Sequence, residues 1–367
     1  MPAQITPLIA GLPASVPFVG PEAQERARGR GFRARIGANE NVFGPSPKAI
    51  EAMRAAVADT WKYGDPENHD IRHALAAHVG VSSENIAVGE GIDGLLGLTV
   101  RLMVTNGMPV VTSAGGYPTF SFHVDGFGGV LTRVPYVNDR EDWRGLIRAA
   151  RETNAALLYI ANPDNPMGTW WPADDIAAMI ADLPENTVLC LDEAYGEFAP
   201  EGVLPPIDVT HPRVLRFRTF SKAWGMAGAR IGYVIGEASL IRQFDKIRNH
   251  FGVNAVAQAG ALASLGDSGY LAHVRAQVER SRARIAGLAE ALGLRSLPTA
   301  TNFVAVDLGR DGAYARKVLA ELIARDVFVR MPGIAPLDRC IRIGCGLDAE
   351  MDILAEALPA ALAAAKL

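Results

Sequence analysis

Short apolar runs alternate with longer stretches of helical spacing along most of this chain. The apolar runs are three to six residues long, and several are hydrophobic on both faces, as strands covered by helices on each side are. We predict strands at residues 86–88, 109–112, 130–135, 156–161, 188–191, 214–218 and 231–235. Strands that alternate with helices are typical of βαβ units, so the pattern predicts a largely parallel sheet.

The pattern changes after Phe251. A long helical stretch is predicted over residues 255–292, and it is followed by strands at 302–307 and 340–344 and by helices at 313–325 and 349–364. We therefore predict an α/β protein with two domains. The large domain, residues 36–253, holds the mostly parallel sheet, and residues 254–367 form a smaller α+β domain.

The first 35 residues differ in composition from the rest of the chain. Five prolines stand at positions 2, 7, 13, 17 and 21, and five arginines fall between positions 26 and 35. Proline fixes one backbone dihedral angle and lacks a hydrogen-bond donor, so it favours extended structure and turns. We predict an N-terminal arm over residues 1–35, with the arginines on a solvated face.

Composition and charge narrow the class of function. The chain has 367 residues, of which 49% are hydrophobic, so it can bury a large core. Its formal charge of -4 argues against nucleic acid as a partner, and no apolar stretch approaches the ~20 residues of a membrane helix. Three cysteines without Cys/His pairs at metal-ligand spacing indicate neither a disulfide scaffold nor a metal site. We expect a cytoplasmic protein that acts on small molecules.

A glycine-rich turn follows the first predicted strand. Residues 89–94 match the G-x-G-x-x-G spacing of dinucleotide-binding loops. That interpretation also needs an acidic residue about 20 positions later, and residues 110–116 contain no carboxylate. The backbone N–H groups of Gly91, Ile92 and Asp93, at a helix start, are better suited to bind the phosphate of another ligand. An ordinary strand-to-helix turn is the alternative.

One segment concentrates groups that can hold a phosphate around an amine. Thr219 and Ser221 precede Lys222 just after a predicted strand, and Arg230 lies eight residues beyond the lysine. Hydroxyl groups and a guanidinium bind phosphate, and a lysine beside a phosphate-bound aldehyde can form an imine. This set favours pyridoxal 5'-phosphate (PLP) as cofactor. A solvated lysine with a surface arginine is the alternative.

Two further polar groups follow predicted strands. Asp192 comes after the strand at 188–191, where a carboxylate can pair with the protonated pyridine nitrogen of PLP. Asn165, in the proline- and glycine-rich loop 162–168, and Tyr195 can each donate a hydrogen bond to the phenolic oxygen of the cofactor ring. A helix start at Asp192 and a plain turn at Asn165 are the alternatives.

Together these motifs resemble the fold-type-I aminotransferases, and within them the histidinol-phosphate aminotransferase-like group, over nearly the whole chain. The motifs of that group occur here in their usual order, at 39–47, 63–66, 89–94, 162–168, 192–195, 221–222 and Arg342. The resemblance implies an aspartate-aminotransferase-like PLP fold and transfer of an amino group from an amino acid or amine to a 2-oxo acid such as 2-oxoglutarate. It also implies a homodimer with shared active sites.

The resemblance implies a role for each matching residue. Lys222 would bind the cofactor and move the proton, with Asp192 and Tyr195 as its catalytic partners. The cofactor would also be held by Gly91, Ile92, Asp93, Asn165, Thr219, Ser221 and Arg230, by Phe120 (or alternatively Tyr117) stacked on its ring, and by Tyr63 of the neighbouring subunit. Arg342 would take the substrate carboxylate, Arg330 a distal anionic group such as phosphate, and Asn39 is a further substrate contact.

Several positions depart from the pattern of the group, among them Gly94, Phe120, Asp164, Met167 and Ala229. None of these changes removes a reacting group, but they leave the amino donor open between histidinol phosphate, an aromatic amino acid and another amine. The alternative functions are a PLP-dependent decarboxylase of the same fold, a PLP-binding regulator without turnover, and an NAD-dependent oxidoreductase.

Overall fold

The structure is a computed structural model that describes residues 3–14 and 19–366. Its strands are β1 (Ala34–Arg35), β2 (Ile86–Gly89), β3 (Pro109–Ser113), β4 (Val130–Val134), β5 (Leu157–Ala161), β6 (Val188–Asp192), β7 (Val214–Thr219), β8 (Gly232–Ile235), β9 (Arg295–Ser296), β10 (Phe303–Asp307), β11 (Val327–Phe328) and β12 (Cys340–Gly344). Seven of them form one sheet in the order β2-β8-β7-β6-β5-β3-β4. Strand β8 is antiparallel to both neighbours, and the other pairings in this sheet are parallel. The predicted α/β class with a mostly parallel sheet is confirmed.

Helices cover both faces of this sheet. The helices of the described residues are α1 (Pro7–Ala10), α2 (Pro21–Arg28), α3 (Pro47–Val57), α4 (His69–Val79), α5 (Gly91–Met103), α6 (Pro118–Gly126), α7 (Trp143–Thr153), α8 (Ala173–Ala181), α9 (Ala238–Phe244), α10 (Ala255–Leu265), α11 (Ser268–Ala291), α12 (Gly312–Ala324) and α13 (Asp348–Ala364). Strand β5 shows how the sheet is buried, because Leu157 and Tyr159 pack in the core cluster of α5 while Leu158 and Ile160 pack in that of α7 and α8. Alternate side chains of a strand point to opposite faces, which explains why β5 is apolar at every position but one.

The C-terminal part of the chain builds a second, smaller core. Strands β9, β10 and β12 form an antiparallel sheet, and β1 pairs in parallel with β11. Ala34 and Ile36 are buried in the same cluster as residues of α12 and α13. Helix α10 instead packs against α3 and α4 in the cluster that covers β2 and β8. The division at residues 253 and 254 stays a prediction.

The long helical stretch predicted over residues 255–292 consists of two helices. Helix α10 ends at Leu265 and α11 begins at Ser268, so Gly266 and Asp267 separate two helices. Glycine loses the most backbone entropy in a helix, and aspartate competes with the helix for backbone hydrogen bonds. Two such residues in succession end the helix.

The extended arm predicted for residues 1–35 is wrong where α1 and α2 form. Helix α2 begins at Pro21, and proline is well placed there because the first N–H groups of a helix have no partner within it. The helix ends before Gly29, whose φ of 70° is accessible to glycine without strain. Pro2 and Pro17, which contributed to the prediction, lie outside the described residues.

The arginines of this segment do not all form a solvated face. Arg28 pairs with Asp326 and Arg35 pairs with Glu22. The Arg28 pair connects residues 21–35 to the small core, and the Arg35 pair connects two parts of this segment. The charge pattern of the sequence alone did not predict these contacts.

No helix within residues 3–14 and 19–366 is long and apolar enough to cross a membrane. In the same part of the chain, no group of three or more His, Cys, Asp or Glu side chains is arranged to hold a metal ion.

Candidate active site

The carboxyl ends of β6 and β7 and the first turn of α5 surround a cavity of about 260 Å³. Open α/β sheets bind their ligands at this edge. Nine of the predicted cofactor and catalytic residues line the cavity: Ile92, Asp93, Asn165, Asp192, Tyr195, Thr219, Ser221, Lys222 and Arg230. Residues from five separate stretches of sequence therefore meet at one place.

Lys222 projects into this cavity from the loop after β7. Its Nζ donates a hydrogen bond to the backbone oxygen of Asn39 at 3.1 Å. Burial, with a smaller contribution from the cationic Arg342, lowers the pKa of Lys222 to about 8. About one tenth of the amine is then neutral at pH 7, far more than for an ordinary lysine, and the neutral form is the one that acts as a nucleophile or takes up a proton.

Asp192 stands at the end of β6, on the same side of the cavity. Its Oδ2 accepts a hydrogen bond from the Tyr159 hydroxyl at 2.7 Å, and its Oδ1 accepts one from the Ala194 N–H at 2.9 Å. Burial raises the pKa of Asp192 to about 6, although these donors favour the carboxylate. Asp192 therefore places a buried anion at this end of the cavity at neutral pH.

The opposite end of the cavity is cationic and has little side-chain bulk. Gly91 starts α5 with a φ of 79°, and a Cβ at this position would lie 2.8 Å from Nη2 of Arg230. Glycine thus lets the guanidinium approach the helix start, where the first N–H groups have no partner within the helix. Thr219 Oγ1 accepts a hydrogen bond from the N–H of Ser221 at 3.0 Å, which fixes the turn before Lys222. An anion of phosphate size fits these donors.

The structure does not place Phe120, which we predicted to stack on the cofactor ring, on the wall of the cavity. Phe120 is fully buried and stacks on Tyr159, with ring centroids 4.6 Å apart, while Tyr117 lines the cavity. Helix α6 begins at Pro118, so Tyr117 remains outside the helix and Phe120 lies in its first turn, facing the core. Burial raises the pKa of Tyr117 to about 12, so this hydroxyl keeps its proton.

Two arginines line a second cavity of about 320 Å³, which adjoins the first at Asn165. Arg330 and Arg342 face each other in a backbone bridge, with N···O distances of 3.2 and 2.6 Å. Arg342 Nη1 donates to Asn165 Oδ1 at 2.5 Å, and burial lowers the pKa of Arg342 to about 10. Arg330 Nη2 donates to the backbone oxygen of Val19 at 2.6 Å. This cavity is suited to an anionic group.

Asn39 connects the N-terminal segment to the cavity wall. It has a φ of 57°, and its Nδ2 donates to the Tyr195 hydroxyl at 2.9 Å. Within the part of the chain that the structure describes, Asn39 Oδ1 and Arg342 Nε are buried without a hydrogen-bond partner. Buried polar atoms of this kind are costly unless a ligand or water completes them.

Tyr63 does not approach the cavity of its own chain. Its side chain is 82% exposed and its ring lies 4.6 Å from that of Phe251, measured between centroids. An exposed aromatic pair of this kind is available to a second copy of the chain.

Sequence reasoning missed two residues that shape the site. Tyr159 is the donor to Asp192, and Asn302 Nδ2 donates to the backbone oxygens of Asn39 and Glu40 at 3.2 and 3.1 Å. Tyr159 is the one polar side chain in the apolar strand β5, next to the strand that ends in Asp192. This contrast was a usable signal, whereas nothing near Asn302 in the sequence points to residues 39 and 40.

Comparison with known proteins identifies the family. Residues 35–358 match the profile of aminotransferase class I and II. The chain belongs to this family. It is 36% identical over 364 residues to histidinol-phosphate aminotransferase 2 of Ralstonia nicotianae, with 96% of each chain covered. It is 35% identical over 334 residues to histidinol-phosphate aminotransferase of Anaeromyxobacter sp., with 89% of this chain and 90% of the relative covered. The predicted resemblance to fold-type-I aminotransferases of the histidinol-phosphate aminotransferase-like group is confirmed.

The solved structures agree in fold. Histidinol-phosphate aminotransferase from Sinorhizobium meliloti, in complex with pyridoxal-5'-phosphate, is 56% identical with a TM-score of 0.96 and 99% coverage of both chains. Aspartate aminotransferase from Thermus thermophilus with maleate, at 20% identity, has a TM-score of 0.82 over 98% of this chain and 100% of the other. The aspartate-aminotransferase-like fold is confirmed.

Proposed function

We propose that this protein is a PLP-dependent aminotransferase that passes an amino group between an amine donor and a 2-oxo acid. The observation that carries the proposal is the position of Lys222, a buried amine of lowered pKa between the anion of Asp192 and the cationic Gly91–Arg230 end of one cavity. The relative from Sinorhizobium meliloti, solved in complex with PLP, supports the same cofactor.

The residues present fit this cofactor. A phosphate would fit beside Arg230, the Gly91 turn and Ser221. Because residue 91 is a glycine, no side chain at this position blocks the approach to Arg230. Asp192 faces the position suited to a protonated ring nitrogen, and Tyr117 lines the wall where a flat ring can stack. When bound, PLP withdraws electrons from the substrate carbon that loses its proton.

Protein groups supply the proton transfer and the binding of substrate. Lys222, with its pKa near 8, gives and takes the proton at the substrate carbon. Tyr195 and Asn165 line the same cavity and would hold the ring by hydrogen bonds to its oxygen, while Asp192 would favour a protonated ring nitrogen.

The two arginines define the substrate class. We assign Arg342 to the carboxylate of glutamate or 2-oxoglutarate and Arg330 to a second anionic group, with Asn39 beside them at the cavity wall. The relatives are named histidinol-phosphate aminotransferases, and histidinol phosphate bears a phosphate ester where an amino acid bears its carboxylate. Both anions suit the same pair of guanidinium groups, which favours histidinol phosphate as donor and 2-oxoglutarate as acceptor.

The activity is tested by incubating the PLP-loaded protein with 2-oxoglutarate and, in turn, histidinol phosphate, phenylalanine and tyrosine. Formation of glutamate with histidinol phosphate supports the proposal. Release of CO2 without glutamate formation supports the decarboxylase instead, and absence of any turnover with these donors contradicts the substrate assignment.

The assignment of Arg342 has its own test. Arg342→Ala is expected to raise KM for 2-oxoglutarate about 100-fold, the loss of two charge-assisted hydrogen bonds. Arg316→Ala, which removes an exposed arginine of α12, is the control. An unchanged KM in Arg342→Ala contradicts the assignment.

A homodimer completes the proposal. Tyr63 is exposed and far from its own cavity, so it can reach the cofactor phosphate of a second copy. A monomer by analytical ultracentrifugation, fully active at that concentration, contradicts this arrangement. The cytoplasm remains our prediction for the location, in keeping with three buried free cysteines.

The alternative functions are not favoured. The family match and the lysine-centred cavity account for Lys222, Asp192 and Asn165, which an NAD-dependent oxidoreductase leaves without a role. The glycine turn at residues 89–94 is explained by the approach of Arg230 to Gly91.

A further inference from the structure

Two carboxyl groups are buried against each other behind the active site. Glu141 and Asp164 are each 2% exposed, and their carboxyl groups lie within interaction range of each other. Two carboxylates cannot share a hydrogen bond without a proton, and two adjacent buried charges of the same sign repel strongly. The contact therefore requires that one of the two groups is protonated.

All four carboxyl oxygens of the pair accept a hydrogen bond from another group. Glu141 accepts from the Ser113 hydroxyl at 2.6 Å and from the Ala161 N–H at 3.1 Å. Asp164 accepts from the Tyr136 hydroxyl at 2.8 Å and from the Met167 N–H at 3.0 Å. These four donors come from β3, β5, the segment after β4 and the 162–168 loop, so the pair ties this loop to the sheet.

The pair is connected through Asn165 to Arg342, the arginine assigned to the substrate carboxylate. Asp164 precedes Asn165, whose Oδ1 accepts the hydrogen bond from Arg342. The groups that face the pair electrostatically are Arg342, Tyr136 and Tyr159. A pair that keeps one proton presents a single negative charge toward Arg342.

We propose that Glu141 is a positioning residue, which shares one proton with Asp164 and thereby holds the 162–168 loop so that Asn165 and Arg342 are oriented for the substrate carboxylate. This inference rests on the proposed function through the role of Arg342. Burial raises the pKa of Asp164 to about 6. Burial, and after it the nearby charge of Asp164, raises the pKa of Glu141 well above its ordinary value.

Infrared spectroscopy tests the shared proton in the PLP-loaded enzyme. At about pH 8 an ordinary carboxyl group is ionised. Difference spectra of wild type minus Glu141→Gln are expected to show the carbonyl band of a neutral buried carboxylic acid. The same band is expected in wild type minus Asp164→Asn, because an amide donor at position 164 lets Glu141 ionise. A band absent from the wild type, or one that persists in Asp164→Asn, overturns the shared proton.

Binding of glutarate, a dicarboxylate without an amino group, tests the positioning role. The dissociation constant is measured from the cofactor absorbance. Glu141→Gln keeps a donor toward Asp164 and an acceptor for Ala161, so it is expected to bind glutarate within about twofold of wild type. Glu141→Ala is expected to bind about tenfold more weakly, the loss expected for one misdirected hydrogen bond to a charged group.

The outcomes separate this inference from the assignment of Arg342. If Arg342→Ala binds glutarate as wild type does, the assignment of Arg342 fails. If Arg342→Ala loses binding while Glu141→Ala retains it, or if Glu141→Gln is as weak as Glu141→Ala, the positioning role of Glu141 fails. Should Glu141→Ala not fold, Tyr136→Phe removes one donor to Asp164, and it is expected to weaken glutarate at least about threefold, the loss expected for one ordinary hydrogen bond. Unchanged glutarate binding in Tyr136→Phe then overturns the proposal.

Discussion

Tyr159 controls the charge of Asp192, and removal of its hydroxyl is expected to shift the pH range over which the enzyme holds its cofactor. Tyr159 is fully buried and donates to Asp192 Oδ2 at 2.7 Å. In Tyr159→Phe, Asp192 keeps its hydrogen bond from the Ala194 N–H but loses the hydroxyl donor. The ring of Phe120 still packs against the phenyl ring, so the change is confined to one hydrogen bond.

The magnitude follows from the pKa of Asp192. A hydrogen bond to a charged group contributes about 1.5–3 kcal/mol, and about 1.4 kcal/mol corresponds to one pKa unit. Taking the lower value, because a neutral carboxyl group also accepts a hydrogen bond, the pKa rises from about 6 to about 7. At pH 6 the ionised fraction of Asp192 then falls from roughly one half to roughly one tenth, and at pH 8.5 it barely changes.

The assay is the PLP dissociation constant of the apoenzyme at about pH 6 and about pH 8.5, for wild type, Tyr159→Phe and Asp192→Asn. Because the carboxylate is the form that pairs with the ring nitrogen, affinity is lost as the pH falls through the pKa of Asp192. Tyr159→Phe is expected to weaken PLP about fivefold more at pH 6 than at pH 8.5, relative to wild type. Asp192→Asn is expected to weaken PLP at both pH values.

Tyr233→Phe is the matched control, since Tyr233 is a buried tyrosine that interacts with Arg218 instead of Asp192. The reasoning is refuted if Tyr159→Phe weakens PLP equally at both pH values. It is also refuted if Tyr233→Phe gives the same pH dependence.

Two further changes probe the framework of the site. Glu193 is fully buried and accepts hydrogen bonds from two arginines of β7, so Glu193→Ala removes the carboxylate that pairs with both and is expected to cost about 3–5 kcal/mol of stability. Thermal unfolding of this variant and of Glu201→Ala, an exposed control, checks the effect, and equal midpoints contradict it. Gly225 has a φ of 70° and an added Cβ would lie 2.2 Å from the oxygen of Gly44, so Gly225→Ala is expected to lose PLP. Gly228→Ala, with open space around it, is expected to retain PLP, and equal PLP content in both variants speaks against the argument.

Much of the fold followed from local pattern. The apolar runs predicted the strands of the large sheet, because a strand covered on both faces must be hydrophobic at successive positions. The polar residues that interrupt the pattern at strand ends, Asp192 and Lys222 among them, are the ones that the structure gathers at one cavity. Polar residues at the carboxyl ends of the strands therefore indicate where the site lies, which hydrophobic periodicity alone does not.

The failures share a physical origin in three-dimensional context. Whether Phe120 or Tyr117 faces the cavity depends on where α6 begins, and neither the start of this helix nor its rotation could be predicted from the sequence. Glu141 and Asp164 lie 23 residues apart in the sequence and come together only in the folded chain. No recognisable motif contains both residues. Likewise, the arginines of the first 35 residues revealed their carboxylate partners only in the folded chain.

The central claim, that Lys222 is the residue that bonds to PLP, is tested most directly by the absorbance spectrum of the purified protein with PLP, before and after borohydride. We expect a long-wavelength band that borohydride removes while fixing PLP covalently to the peptide that contains Lys222, and no covalent labelling in Lys222→Ala. Labelling of another lysine, or unchanged labelling in Lys222→Ala, would contradict this role of Lys222.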